Sequence, residues 1–204
     1  MGKYLFMEAV LQKISNGQFF RKAFAIALQI MALIIAVAAL VGWINVWKSV
    51  SGRESEAIFG IIIFQLLFVV AVYMVVHTIL IRAGNISALP NAEYTVIPIA
   101  SVTLKLIGEI YAGFVTVISV AGGILTWFIG WNSFYLIKKA APIVPNFGNG
   151  DGFWGGLVFM AGGLLSAFVG LIIFYFLSEA VIVLADIARY INVSSQISEQ
   201  QKKK

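Results

Sequence analysis

The sequence predicts an all-α membrane protein: an antiparallel bundle of four transmembrane helices with both termini in the cytoplasm and a short interfacial helix at the N-terminus. Four apolar segments carry this prediction, at residues 23–47, 57–81, 101–129 and 154–185. A helix rises about 1.5 Å per residue, so roughly 20 apolar residues cross a hydrocarbon core of about 30 Å. Composition agrees, because 61% of the residues are hydrophobic and 11% are charged, whereas soluble domains carry about 25% charged residues.

The polar remainder is too short to form a soluble domain. It consists of an arm at residues 1–22, three loops and a tail at residues 186–204, none of which can bury a core of its own. Residues 1–204 therefore form a single transmembrane domain. The chain contains no Cys, which excludes disulfides, thiolate metal sites and Cys nucleophiles.

The basic residues predict the orientation. Lys and Arg near a membrane are enriched on the cytoplasmic side. With the N-terminus inside, the 14 basic residues divide ten to four, and the four on the outer side are Lys48, Arg53, Lys138 and Lys139. The net charge of +5 is thus explained by topology. Nucleic-acid binding is not predicted, since no basic groove with interleaved aromatics lies outside the apolar segments.

The polar segments differ in the structure that their sequences predict. Residues 4–14 place Tyr4, Met7, Leu11 and Ile14 on one face, which favours a short helix on the membrane surface. The break at residues 49–56 is short, so the first two helices form an antiparallel pair. Residues 82–100 form a loop containing Pro90 and Pro98. Residues 130–153 form a long outer loop with aromatic anchors and a Gly/Asn/Asp turn at residues 148–152.

Small residues recur at helical spacing in the last two apolar segments. The candidate packing residues are Gly108, Ala112, Gly123, Gly156, Gly163 and Gly170. Small residues let helix backbones approach closely in a membrane. We expect the third and fourth helices to pack on each other through them; the alternative is that one of these faces contacts another protein.

Five ionisable residues lie within or at the ends of the apolar segments: His77, Lys105, Glu109, Glu179 and Asp186. Charges at mid-membrane cost about 2.5–3.5 kcal/mol each on insertion scales. The predicted topology brings all five to the cytoplasmic half of the bilayer.

Two interpretations of these residues are open. In the structural one, Lys105 pairs with Glu109 four residues later on the same helix face, and His77 or a subunit of another protein pairs with Glu179. In the functional one, Glu109 and Glu179 are carriers in a proton or ion relay. Against a relay, no continuous polar path crosses the outer half of the membrane. Asp186 is expected to form an ion pair with Arg189 at the helix end.

Enzyme motifs are absent. The sequence has a single His, no Gly-x-Ser-x-Gly elbow, no phosphate-binding loop and no His-Glu-x-x-His. A lone carboxylate, Asp151, in the glycine-rich turn does not make a calcium loop. We therefore predict no catalysis, no cofactor and no metal site.

Two stretches resemble a family of small bacterial inner-membrane proteins of unknown function. One is Ser178-Glu179-Ala180-Val181-Ile182-Val183-Leu184 with its continuation to Arg189, and the other is Glu93-Tyr94-Thr95-Val96-Ile97-Pro98-Ile99 with Gly108-Glu109. The resemblance implies a bacterial inner-membrane setting and supplies no activity.

These observations predict a non-catalytic integral membrane subunit or scaffold of a bacterial inner-membrane assembly. Its expected partners are the lipid bilayer and other membrane proteins or further copies of the chain. The alternative is a small oligomeric ion channel or proton-coupled transporter that uses the inner-leaflet carboxylates.

Overall fold

A computed structural model describes residues 17–48, 55–90, 96–130, 132–145 and 152–202, with backbone alone for residues 56, 192–193 and 195–202. These residues form five helices and no strand: α1 (Gln18–Trp47), α2 (Ser55–Ser87), α3 (Val96–Ile129), α4 (Asn132–Ala140) and α5 (Gly152–Lys202). All but α4 are long and apolar enough to cross a membrane. The helical fold class and the four apolar spans are thus confirmed. The interfacial helix at residues 4–14 and the turn at residues 148–151 lie outside the described residues.

The long helices pack in chain order. α1 contacts α2, α2 contacts α3, and the most extensive contact of the described residues joins α3 to α5. The short α4 contacts α3 and α1. α3 is therefore the central helix, and it positions the polar groups described below.

All four long helices extend beyond the apolar segments, and α1 begins at Gln18 rather than at residue 23. α2 continues to Ser87, and α3 begins at Val96, so Pro98 lies in the first turn of α3 rather than in a loop. A proline is tolerated there because the first N–H groups of a helix have no intrahelical acceptor. α5 continues to Lys202, which is roughly 36 Å beyond Ser178 at about 1.5 Å per residue.

The outer loop contains a helix that the sequence analysis did not predict. α4 buries Leu136 and Ile137 and exposes Lys138 and Lys139, which is the pattern of an amphipathic helix lying at a membrane surface. Gly130, with a φ of 57°, makes the turn from α3, a left-handed conformation that glycine adopts without steric cost.

Within the described ranges, the buried apolar residues form two clusters. One joins α1, α2, α3 and α5 to α4 and its following turn, with Phe64 and Leu125 fully buried. The other joins the opposite ends of α1, α2 and α3, around Ile79 and Leu106. Much of the remaining surface of α1, α2 and α5 exposes large apolar side chains. Such extensive apolar surface is unfavourable in water, so the structure suggests a multi-pass membrane protein.

Buried polar side chains help to fix α1 against α2. The Gln65 amide donates to the Trp43 carbonyl at 2.9 Å. The Arg21 guanidinium donates to the Leu89 carbonyl, just beyond the C-terminal end of α2. A cation at this position is favourable because the last carbonyls of a helix carry partial negative charge.

Candidate functional site: a polar junction beside a glycine seam

The contact between α3 and α5 is a seam of small residues. A Cβ added at Gly163 would overlap the side chain of Ser119, and one added at Gly123 would lie 2.7 Å from the Gly156 carbonyl oxygen. A Cβ added at Gly108 would lie 2.7 Å from Phe174 Cβ. These helices are therefore as close as their backbones allow, in the manner of small-residue packing in membranes.

The other two candidate packing residues differ from each other. Gly170 faces the ring of Tyr111, at 2.6 Å from a built Cβ, so it belongs to the seam. Ala112 is half-buried on α3. The structure thus places five of the six residues, all glycines, where α3 meets α5.

Pairs of hydroxyl groups join α3 and α5 at two levels of the seam. Ser101 and Ser178 share a buried hydrogen bond of 2.7 Å, and Tyr111 and Ser166 share one of 2.6 Å. Interhelical hydrogen bonds of this kind add modest stability and define register in membrane helices. The seam is therefore both close-packed and polar.

Glu109 lies where α2 joins the α3–α5 pair. Arg82 of α2 donates from Nε to Glu109 Oε2 at 2.8 Å and from Nη2 to Oε1. The hydroxyl of Tyr175 on α5 donates to the same Oε1 at 2.7 Å. Both carboxylate oxygens thus accept charge-assisted or strong hydrogen bonds, from two different helices.

Lys105 lies beside this group. Its ammonium is 5.4 Å from the ring centroid of Tyr175, within the range of a cation–π contact. The ion pair of Glu109 is made with Arg82 rather than with Lys105, so the expected intrahelical pair gives way to one between helices. We call Arg82, Lys105, Glu109 and Tyr175 the polar junction.

Two members of the junction were missed by sequence reasoning. Arg82 was assigned to the cytoplasmic flank because the apolar segment ends at residue 81, although α2 continues past it as a helix. Tyr175 gave no signal beyond its hydroxyl in an apolar segment. The predicted depth in the membrane could have indicated Arg82, because the predicted topology places the end of the second helix at the same level as the start of the third.

His77 and Glu179 are not brought together. His77 is exposed on α2 and stacks on Tyr73 of the same helix, with ring centroids 5.5 Å apart. Glu179 is exposed on α5, between Phe176 and Val183, which are exposed as well. The pair fails because α3 packs against both helices, while α2 and α5 share no extensive contact in the described part of the chain.

Asp186 and Arg189 are both exposed on the part of α5 that extends beyond the start of α3. Within the described ranges, no group of three His, Asp and Glu residues is arranged to hold a metal ion. The site thus contains two different carboxylates. Glu109 accepts hydrogen bonds on both oxygens within the polar junction, and Glu179 lies on an exposed apolar face of α5.

Comparison of the chain with protein-family models, with curated proteins and with solved structures finds no significant match. The bacterial inner-membrane setting implied by the resemblance therefore stays a prediction, and function has to be argued from the geometry.

Proposed function

We propose that this chain is a non-catalytic membrane subunit that holds a partner protein against α5, in a bacterial inner membrane and with both termini in the cytoplasm. The observation that carries the proposal is Glu179. It lies on α5 among exposed apolar residues, and the described residues place no cation against it. A carboxylate facing hydrocarbon is costly and asks for a partner.

The long α5 supports the same function. α3 covers one face of this helix, while Leu165, Phe168 and Phe176 on other faces are exposed. Beyond Ser178 the helix continues for roughly 36 Å, with Asp186 and Tyr190 exposed. A helix that leaves the bundle in this way offers a surface both in the membrane and outside it.

The polar junction argues against a proton relay through Glu109. A carrier must release and take up protons, but Arg82 and Tyr175 donate hydrogen bonds to both oxygens of this carboxylate, so a proton could reach neither oxygen without disturbing these contacts. The seam beside it leaves no room for a Cβ at Gly163 or Gly123, and so no room for a file of water between α3 and α5. The polar junction is better explained as a structural contact that holds α2, α3 and α5 together.

Site-specific photocrosslinking tests the proposal. A photoreactive amino acid replaces Phe176, three residues before Glu179 on the same face of α5, and crosslinked products are identified after illumination of intact cells. We expect a defined protein adduct whose yield falls when Glu179→Gln is added. Leu33, exposed on α1, is the matched control position and should give no such adduct.

The opposite result is equally concrete. If Phe176 gives no more protein adduct than Leu33, and if the purified chain in vesicles conducts ions in a way that Glu179→Gln abolishes, the chain is a channel or transporter and the subunit proposal fails.

A further inference from the structure

A cavity of about 440 Å³ lies between α1, α2, α3 and the segment around α4. Its walls are mainly apolar, and they include Ile35, Gly42, Phe68, Val72, Phe114 and Ile143. The volume is within the range of about 300–1,000 Å³ that is typical of small-molecule sites. The cavity is therefore large enough for a ligand.

The cavity lies beside the middle of α1, where no side chain is fully buried against the bundle. The buried residues of α1 are confined to Arg21–Ala32 and to Val46. Between them, Ala39 borders this cavity and also a second apolar one of about 400 Å³ on the other side of the α1–α2 pair. An empty apolar cavity forfeits dispersion contacts along its walls, so in a bilayer a hydrocarbon chain is the natural filling.

The polar residues of the cavity point to the rest of the ligand. Asn45 and Lys139 are its polar lining residues, and the other lining residues within the described ranges include no carboxylate. Lys138 is exposed next to Lys139 at the end of α4, with its ammonium 5.6 Å from the Phe134 ring centroid. Two adjacent lysines on an amphipathic helix at the membrane surface attract an anionic headgroup.

We infer that this cavity binds one anionic phospholipid, with an acyl chain between α1, α2 and α3 and its headgroup at Lys138 and Lys139. The lipid completes the packing of α1, which its own side chains leave unfinished. This site requires membrane insertion but not a partner on α5, so it stands or falls independently of the subunit proposal.

Retention of defined lipids tests the inference. The full chain is reconstituted into vesicles of equal parts phosphatidylcholine and phosphatidylglycerol, extracted in mild detergent and examined by native mass spectrometry. We expect one tightly retained phosphatidylglycerol per chain. Replacing Lys138 and Lys139 by Gln should reduce the preference for phosphatidylglycerol over phosphatidylcholine about fivefold for each lysine removed. Lys48→Gln, which changes an exposed lysine at the end of α1, is the charge control.

Filling the cavity separates specific binding from general adhesion of lipid. Gly42→Leu projects a side chain toward Ala140 and Phe68, whose nearest atoms are 3.6 and 3.8 Å from a built Cβ, and should abolish retention. Ala38→Leu enters the same cavity from an exposed position and serves if Gly42→Leu does not fold. Gly84→Leu, which has nothing within 4 Å, should retain the lipid. Equal retention by the wild type and a folded filling variant, or no preference of the wild type for phosphatidylglycerol, would overturn the inference.

Discussion

Glu109 of α3 accepts hydrogen bonds from Arg82 of α2 on both of its carboxylate oxygens, so an ion pair ties together two helices that otherwise meet mainly through apolar side chains. The pair is mostly sheltered, with 22% of the Arg82 side chain and 20% of the Glu109 side chain exposed. Because hydrocarbon cannot solvate either charge, each partner depends on the other.

Glu109→Gln should therefore lower the free energy of unfolding by about 1.5–3 kcal/mol, the usual contribution of hydrogen bonds to a charged group. The measurement is unfolding in mixed micelles with increasing dodecyl sulfate. Asp186→Asn, which neutralises an exposed carboxylate on α5, should change the stability little. The double variant Arg82→Met/Glu109→Leu should recover part of the loss because it removes both charges together. Equal stability of Glu109→Gln and the wild type would show that the ion pair does not stabilise the helix bundle.

The two tyrosines of the α3–α5 contact should differ in their contributions. Tyr175→Phe removes a hydrogen bond to the Glu109 carboxylate, whereas Tyr111→Phe removes one to the neutral Ser166 hydroxyl. We expect losses of about 1.5–3 kcal/mol and about 0.5–1.5 kcal/mol, respectively, in the same unfolding assay. The comparison is matched, because each change deletes one hydroxyl and keeps the ring. A larger loss for Tyr111→Phe would contradict the role given to the junction.

The glycine seam can be tested by adding one methyl group. Gly163→Ala should destabilise the protein by about 1–3 kcal/mol, the usual effect of overpacking, since the new Cβ overlaps Ser119. Gly84→Ala is the control: it has open space around it and should gain roughly 0.5–1 kcal/mol because alanine favours a helix over glycine.

Moving the glycine from α5 to the opposing position on α3 distinguishes a steric clash at this contact from a general loss of stability. In the variant Gly163→Ala/Ser119→Gly the opposing side chain is removed, and stability should return most of the way to that of the wild type. If the double variant is no better than Gly163→Ala alone, the seam is not packed as described.

The fold was predictable where one physical requirement dominates. Hydrocarbon thickness determines the length of a span, so the four helices are evident as apolar segments, and helical spacing brings Gly156, Gly163 and Gly170 onto one face. The residues at which the helices begin and end were less predictable. Pro98 indicated a loop because proline breaks a helix interior, yet it occupies the first turn of α3, where it breaks nothing.

The partners of the charged residues were not predictable in the same way. Glu109 and Lys105 are neighbours on one helix, and that much follows from their spacing. The choice of Arg82 depends on how far α2 and α3 slide and rotate against each other, which is decided by packing across the whole interface. The expected pair of His77 and Glu179 fails for the same reason: equal depth does not bring together helices that both pack on α3.

The predicted orientation can be tested because the chain contains no Cys, so each introduced Cys reports alone. Tyr135 on α4 is 66% exposed and Tyr190 on α5 is 77% exposed, and substitution at either should leave the packing intact. With both termini in the cytoplasm, as the excess of basic residues predicts, a membrane-impermeant maleimide added to intact spheroplasts should label Tyr135→Cys. It should label Tyr190→Cys only after the membrane is permeabilised. Leu33→Cys, in mid-span and 65% exposed, should stay unlabelled in both cases if α1 lies in hydrocarbon. Labelling of Tyr190→Cys in intact spheroplasts would invert the topology, and labelling of Leu33→Cys would argue that α1 does not cross the membrane.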